Sequence, residues 1–194
     1  MLDKDEVKDA IIGVARSIFS RFGFRKTTMD EIALASRKGK SSIYYYFNSK
    51  EEIFKAVVEK EAGILKEELV AAINGADDPM EKLKAYVLVR MKTIGKMANF
   101  YSAIKDEYLN HLDFTETIRQ KYDREEIDMV HNILQEGVDN GEFKIENTAL
   151  ASIAIVTALK GMEIPMFWNE DEGMEIEKRI EDLINILFYG VIKR

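Results

Sequence analysis

Apolar residues along this chain recur at intervals of three and four, the spacing of one face of an α-helix. The pattern is clear near the amino terminus, where it predicts a first helix with one apolar face formed by Ile11, Ala15, Ile18, Phe19 and Phe22. Gly23 is expected to end this helix, because glycine readily adopts the left-handed conformation found at helix ends.

The next segment predicts two short helices joined by a turn. Thr28 can cap the first of them, and Glu31 completes a capping box three residues later. Residues 36–39 predict the turn and residues 40–47 a third helix. Two helices joined in this way have the helix-turn-helix geometry, in which the second helix enters the major groove of DNA.

Beyond residue 48 the same periodicity predicts a larger helical body. Ser49 and Glu52 form another capping box, at the start of a long helix that ends near residues 74–75. Pro79 suits the first turn of the following helix. Further apolar-periodic segments lie at 83–94, 100–109, 118–138, 149–162 and 176–191.

The segment 149–162 is apolar on nearly all sides, which indicates a helix buried on more than one face. Pro165 is expected to break it, because proline lacks the amide hydrogen. No segment shows the alternation typical of a strand. We therefore predict an all-α chain of about nine helices, with a small head over residues 1–50 and a larger body over residues 51–194.

Composition narrows the function classes. The 194 residues include no cysteine, which excludes disulfides, thiolate metal sites and a cysteine nucleophile. The charged start of the chain lacks the apolar core of a secretory signal. No apolar run approaches the ~18 residues that a membrane helix needs. We therefore expect a cytoplasmic protein without membrane association.

Charge divides the chain unevenly. Its net charge is −7, yet residues 1–50 hold 10 Lys and Arg against 6 Asp and Glu, a local charge of +4. A local basic surface is the electrostatic signature that DNA binding requires. An asymmetry of this size is modest and could also arise by chance.

The predicted third helix supplies suitable chemistry on one side. Ile43 and Phe47 are four residues apart and are expected to face the core. Lysine can neutralise a phosphate or reach a guanine, and tyrosine offers a hydroxyl to phosphate and a ring to a thymine methyl. Tyr46 is expected to be partly packed. The candidate contacts to double-stranded DNA are Thr28, Lys38, Lys40, Ser41, Ser42, Tyr44, Tyr45, Tyr46 and Lys50.

These residues, in this order, resemble a known family. The amino-terminal signature of TetR-family (tetracycline-repressor-like) regulators is matched over roughly residues 8–55 by Ala15, Phe19, Gly23, Thr27–Thr28, Ile32–Ala33, Ser42–Phe47 and Ser49–Glu51. The resemblance implies an all-helical homodimer whose first three helices bind DNA. It also implies that the divergent body, residues 51–194, binds a small ligand and the partner subunit.

The turn departs from the family pattern. Where the family has a small residue, Gly, Val and a Ser-like cap, this chain has Ser-Arg-Lys-Gly at residues 36–39. Lys38 replaces the apolar anchor, so we expect a more exposed and more basic turn.

Residues 135–143 resemble a helix ending common in this family, and the helices that follow fall where its dimer bundle lies. The candidate interface residues are Ala158, Met162, Ile180, Leu183 and Leu187. The alternative is that both helices belong to the core of a single subunit.

A ligand pocket is expected among the middle helices. Methionine and aromatic side chains suit irregular ligand shapes, although at helical spacing they can equally be ordinary core. The candidates are Met91, Met97, Phe100, Tyr101, Tyr108, Met129 and Trp168. His111 and His131 form no paired-histidine motif, so neither a metal site nor a cofactor is expected.

The sequence therefore favours a ligand-responsive DNA-binding regulator. It is expected to be a repressor that a small, largely apolar molecule releases from a palindromic operator. Two alternatives remain open, a small-molecule enzyme that uses the helical body and a protein-interaction module without DNA binding. No catalytic motif of the serine-hydrolase, phosphate-loop, dinucleotide or zinc-protease type occurs, which counts against the enzyme.

Overall fold

The computed structural model describes residues 3–94, 97, 99, 113–168 and 176–190, with some side chains in the later helices, including 162–168, left undescribed. Every regular element in these ranges is an α-helix, which confirms the all-α prediction. The first five helices are α1 (Lys4–Phe22), α2 (Met29–Ala35), α3 (Lys40–Tyr46), α4 (Lys50–Asn74) and α5 (Pro79–Ile94).

Three helices follow in the described carboxy-terminal ranges. They are α6 (Asp113–Asp139), α7 (Thr148–Trp168) and α8 (Ile176–Tyr189). The segment 100–109, also predicted to be helical, lies outside the described residues. None of the described helices is long and apolar enough to cross a membrane.

Local side-chain chemistry sets the ends of the early helices. Asp3 and Glu6 form a capping box at the start of α1, and Gly23 ends it with a φ of 79°. The predicted capping box of Thr28 and Glu31 is confirmed at the start of α2. These contacts satisfy amide hydrogens that have no partner within the helix.

The predicted capping box at α4 is only half correct. The Ser49 hydroxyl accepts the amide hydrogen of Glu52 at 3.2 Å. The Glu52 carboxylate, however, accepts from the backbone N–H of Asn48 at 2.7 Å and from the Asn48 side-chain amide. Asn48 is thus the reciprocal partner, because its side chain and its backbone offer two donors together. These bonds, the side-chain one foremost, lower the pKa of Glu52.

The prediction that Pro165 ends the seventh helix is wrong, because α7 continues to Trp168. A proline removes a single i to i−4 hydrogen bond, and the remaining bonds of a 21-residue helix can carry the backbone through it.

The chain divides into two compact units. The first comprises Met1–Ile64 with Met97–Arg119, and the second comprises Leu65–Lys96 with Gln120–Arg194. Both α4 and α6 contribute residues to each unit. The functional boundary near residue 50 that the sequence suggested stays a prediction.

An aromatic cluster forms the core of the first unit. Phe19, Phe24 and Phe54 are buried, and their ring centroids lie 4.9–5.8 Å apart. Ile11 and Ala15 of α1 are fully buried beside them, as predicted. Phe22 was assigned to the same face wrongly, since its side chain is 53% exposed at the end of the helix.

Apolar side chains from α5 to α8 fill the second unit, in which α8 contacts α5 and α7. The buried members include Val87, Met91, Val130, Leu134, Val156, Leu159 and Leu183. Near the end of α6, Gly137 lies against the Phe143 ring so closely that a methyl group there would overlap it. This contact explains the glycine in the helix ending at residues 135–143.

Candidate DNA-binding site

The helix-turn-helix consists of α2, the turn and α3. Thr28 N–H donates to the Glu31 carboxylate at 2.7 Å, and the Thr28 hydroxyl accepts from Glu31 N–H at 3.3 Å. The neighbouring Thr27 is buried, and its hydroxyl donates to the Gly23 carbonyl at 2.9 Å. Thr28 is exposed, so its methyl and hydroxyl remain at the surface beside the amino end of α2.

The turn preserves its geometry despite its unusual sequence. Arg37 has a φ of 53°, the left-handed conformation, and is the only described non-glycine residue with a positive φ. It stands where the family pattern has glycine. The amides of Arg37 and Lys38 donate to the carbonyls of Leu34 and Ala33, both at 3.0 Å. Arg37 and Gly39 are exposed, whereas Lys38, the residue expected to expose the turn, is half-buried.

The two sides of α3 differ sharply. Ile43 and Phe47 are 0% and 3% exposed, which confirms that they face the core. Tyr44 and Tyr45 are 43% and 68% exposed on the outer side. Tyr46 is half-buried, as predicted, and meets the Tyr45 ring edge-to-face at 5.0 Å. Aromatic side chains with a free hydroxyl are thus presented together on a rigid helix.

The small side chains beside these rings leave the start of α3 open. Ser41 is exposed and Ser42 is half-buried. Gly39 precedes the helix and provides no side-chain cap. A base edge or phosphate can therefore approach Ser41 and Ser42 without displacing a large side chain at those positions.

Lys40 is held by an acidic neighbour. Its ammonium lies 2.8 Å from the Asp30 carboxylate, and both side chains are largely exposed. The hydrogen bond to Asp30 and the attraction between the charges raise the pKa of Lys40. Lys40 therefore stays charged, but a phosphate would have to compete with Asp30 for its ammonium group.

Lys50 has a structural role that the sequence did not reveal. Its ammonium donates to the carbonyls of Phe24 and Thr27, both at 2.9 Å, and lies 4.3 Å from the centre of the Phe24 ring. It thereby fastens the segment between α1 and α2 to the start of α4. Contact between Lys50 and a phosphate stays a prediction.

Two lysines of α1 also reach α3. The Lys4 ammonium lies 4.9 Å from the centre of the Tyr45 ring, and the Lys8 ammonium lies 5.5 Å from that of Phe47. Sequence reasoning did not single them out, because the contacts join residues some forty positions apart. Their spacing of four on one helix face was the sole local signal.

The pocket candidates are only partly described. Met91 and Met97 are buried and Met129 is half-buried. Phe100, Tyr101 and Tyr108, as well as the side chain of Trp168, lie outside the described residues.

The second unit also encloses polar groups that sequence reasoning missed. The Glu126 carboxylate accepts from the Tyr86 hydroxyl at 2.8 Å and from the Arg90 guanidinium at 2.5 Å. All three side chains are buried. Burial, followed by the negative charge of Glu126, raises the pKa of Tyr86 well above its usual value.

The interface candidates fall into three groups. Ala158 is exposed on α7, whereas Leu183 is 4% exposed and packs within its own subunit. The side chains of Met162, Ile180 and Leu187 lie outside the described part. Exposed apolar side chains do occur on these helices, at Leu150, Ile153, Ile186 and Tyr189.

Comparison with known proteins agrees with this geometry. The family model described as bacterial regulatory proteins, tetR family, matches residues 11–57, and that described as QacR-like protein, C-terminal region, matches residues 77–193. The chain is 28% identical over 193 residues to the HTH-type transcriptional regulator QacR of Staphylococcus aureus, covering 96% of this chain and 99% of that protein.

Solved structures share the fold. A TetR/AcrR-family transcriptional regulator from Thermobifida fusca has a TM-score of 0.81 at 25% identity, with 96% of this chain and 98% of that one covered. FadR of Bacillus subtilis, in complex with stearoyl-CoA, has a TM-score of 0.77 at 19% identity, with 95% and 99% covered. The relatives are regulators rather than enzymes. This chain belongs to the TetR family of bacterial DNA-binding transcriptional regulators, with a carboxy-terminal region of the QacR-like type.

Proposed function

We propose that this chain is a cytoplasmic homodimeric repressor that leaves a palindromic operator when a small, largely apolar molecule binds its body. The observation that carries the proposal is the outer side of α3, where Tyr44 and Tyr45 stand exposed while Ile43 and Phe47 anchor the helix. A helix fixed by its core side and open on its polar aromatic side is suited to a major groove.

A second copy of the chain suits the exposed side of α7. Leu150 and Ile153 are 63% and 47% exposed, and the exposed Ala154, Thr157 and Ala158 continue the same stripe at helical spacing. A stripe of apolar and small side chains allows two helices to approach closely and to exclude water. Ile186 and Tyr189 add exposed apolar area on α8.

Dimerisation determines the shape of the operator. Two recognition helices related by a twofold axis read the same bases in opposite directions, so the site is expected to be a palindrome. Their half-sites are expected about 34–36 Å apart, or a multiple of this distance.

The interior of the second unit supports an apolar effector. Its described buried charges, Arg90 and Glu126, bind each other, whereas Met91 and its neighbours offer apolar surface. Methionine can adjust to irregular ligand shapes. The Bacillus subtilis neighbour was solved with stearoyl-CoA, so a fold of this kind can hold a ligand with a long apolar chain.

A buried polar cluster in the first unit offers a route by which an effector could act on α1. The Glu61 carboxylate, 1% exposed, accepts from the Arg16 guanidinium at 2.9 Å. The Asn99 side-chain amide donates to Glu61 at 2.9 Å and to the Arg16 carbonyl at 3.0 Å. A movement of Asn99 would therefore be transmitted through these hydrogen bonds to α1, which is part of the head, and to α4, which follows it.

The test of operator control uses DNA from upstream of the coding sequence. The protein is expected to protect a palindrome in a footprint, and loss of the protein is expected to raise transcription from that promoter.

The test of effector control screens a panel of fatty acids and acyl-CoAs by thermal shift. A hit should bind more weakly in the presence of operator, with a coupling of about 1–3 kcal/mol. Equal affinities would indicate a constitutive repressor.

The test of the dimer uses Leu150→Glu with Ile153→Glu. Placing charges in the seam should give a monomer in sedimentation and abolish operator binding, because an unpaired buried charge is strongly unfavourable. Leu88→Glu, at a position 38% exposed on α5, is the matched control. Leu183 is unsuitable for this test, since it is buried within its own subunit. A folded double variant that stays dimeric would contradict the assignment.

A further inference from the structure

Two of the three candidate DNA-contacting lysines, Lys40 and Lys50, are engaged within the protein. Lys40 is paired with Asp30 at 2.8 Å. Lys50 donates to two backbone carbonyls at 2.9 Å. The head nevertheless needs cations, because neutralisation of phosphates supplies much of the affinity for DNA. The relevant cations should therefore include others close to the exposed side of α3.

Lys4 and Lys8 meet this requirement. They lie one turn apart on α1, both are exposed, and neither forms an ion pair within the described part of the chain. Their ammonium groups rest on ring faces instead, Lys4 at 4.9 Å from the centre of Tyr45 and Lys8 at 5.5 Å from that of Phe47. A ring face attracts a cation but leaves its hydrogen-bond donors available.

The position of Tyr45 indicates where these charges lie. Tyr45 is 68% exposed on the outer side of α3, next to Tyr44. A cation resting on a side chain that enters the major groove is held at the edge of that groove, where the phosphates run. We propose that Lys4 and Lys8 form a second phosphate-binding row beside α3, with the Tyr45 ring positioning Lys4. This inference rests on the proposed operator binding.

Most of the nearby acidic residues are already engaged by other groups. Glu52, which interacts electrostatically with Lys8, accepts hydrogen bonds from the backbone and the side chain of Asn48. Asp3 and Glu6 are occupied by the capping box at the start of α1. Asp9 is paired with Lys60 at 3.2 Å. Asp5 lies about 80° around the helix from the row, at about 100° per residue. Residues 4 and 8 also precede the segment 11–57 that matches the family model, so that resemblance assigns them no role.

The experiment measures operator affinity by fluorescence anisotropy over a range of salt concentrations. Lys4→Gln and Lys8→Gln should each reduce the salt slope by about 0.9 for each bound subunit. At about 0.15 M salt this corresponds to a roughly fivefold rise in Kd for each lost contact. The affinity of each variant for random DNA should fall by the same factor as its affinity for the operator. Lys4→Arg should restore both values, and Lys92→Gln, an exposed lysine on α5, should change neither.

Three outcomes are informative. An unchanged slope in both glutamine variants, with wild-type protein binding the operator, would overturn the inference and leave the proposed function intact. A wild-type protein that binds no duplex would overturn both. In a Tyr45→Leu background, Lys4→Gln should cost less affinity than in the wild type, and an equal cost would overturn the positioning by Tyr45.

Discussion

The helix caps of the head and the buried polar cluster of the second unit are held in different ways. The caps pair residues that are near in sequence, such as Thr28 with Glu31 and Asn48 with Glu52. In the second unit, Glu126 binds Tyr86 and Arg90, which lie 40 and 36 residues away. The caps of the head are thus local, exposed contacts, whereas the Glu126 cluster of the second unit is buried and long-range. Loss of one side chain should therefore have very different consequences in the two regions.

The largest expected effect is that of Glu126→Leu. It would remove the carboxylate that the buried Arg90 guanidinium binds at 2.5 Å, and breaking a buried ion pair typically costs about 3–5 kcal/mol. Urea unfolding should show this loss. Combining Glu126→Leu with Arg90→Met should recover much of the stability, since an apolar pair of similar volume can replace a buried ion pair. A single variant as stable as the wild type would contradict the comparison.

This difference also explains which features the sequence could predict. Capping at Thr28 and the inward-facing Ile43 and Phe47 follow from spacings of three and four residues, so short-range reasoning found them. The Glu126 cluster could not be found in this way, because neither partner is near it in sequence. The structural role of Lys50 was missed for the same reason, since the carbonyls it binds belong to residues 24 and 27.

The next effect in size is that of Lys50→Ala on the head. It removes two charge-assisted hydrogen bonds and the contact with Phe24, so we expect a loss of about 1–2 kcal/mol in the free energy of unfolding. Lys60→Ala is the control, because its exposed pair with Asp9 should contribute below about 0.5 kcal/mol. If both variants lose the same free energy of unfolding, Lys50 does not stabilise the contact between the α1–α2 segment and the start of α4.

The buried Tyr86 hydroxyl is expected to make the stability of the protein depend on pH. Its pKa is raised in the folded state, so its stabilising effect is complete below the unfolded pKa of about 10. As the pH rises from there towards the folded pKa, the unfolded state loses its proton first and stability falls by about 1.4 kcal/mol per unit. The free energy of unfolding of Tyr86→Phe should therefore fall less steeply than that of the wild type between about pH 10 and 11.

The control for this titration is Tyr45→Phe, at a residue 68% exposed. It should keep the alkaline decline of the wild type, because it retains the buried Tyr86 hydroxyl. Equal slopes in the Tyr86 and Tyr45 variants would show that the buried hydroxyl does not cause the decline.

The smallest expected effect is that of Arg37→Gly in the turn. A left-handed residue other than glycine costs about 1–2 kcal/mol. Glycine relieves this cost but loses about 0.5–1 kcal/mol through the greater freedom of the unfolded chain. A net gain of about 0.5 kcal/mol is expected in thermal melts. Arg37→Ala, which keeps the strained conformation, should give no such gain, and an equal gain would refute the argument.

Two features of the body also mark the limit of sequence reasoning. Pro165 is of a residue type that usually breaks a helix. Nevertheless α7 continues through it, because the remaining hydrogen bonds sustain the helix. Leu183 lies in a clean apolar stripe, yet its own side chain is buried within the subunit. An apolar pattern shows that a side chain is covered but does not show whether its own chain or a partner covers it.

The most direct test of the central claim measures how well the protein distinguishes operator from random DNA, with and without the Tyr44 side chain. The wild type should prefer operator by at least about a thousandfold. Tyr44→Ala should lose about 1–3 kcal/mol of that preference while its affinity for random DNA changes little. Discrimination that is the same in both proteins would contradict the assignment of the outer side of α3 as the surface that reads the DNA sequence.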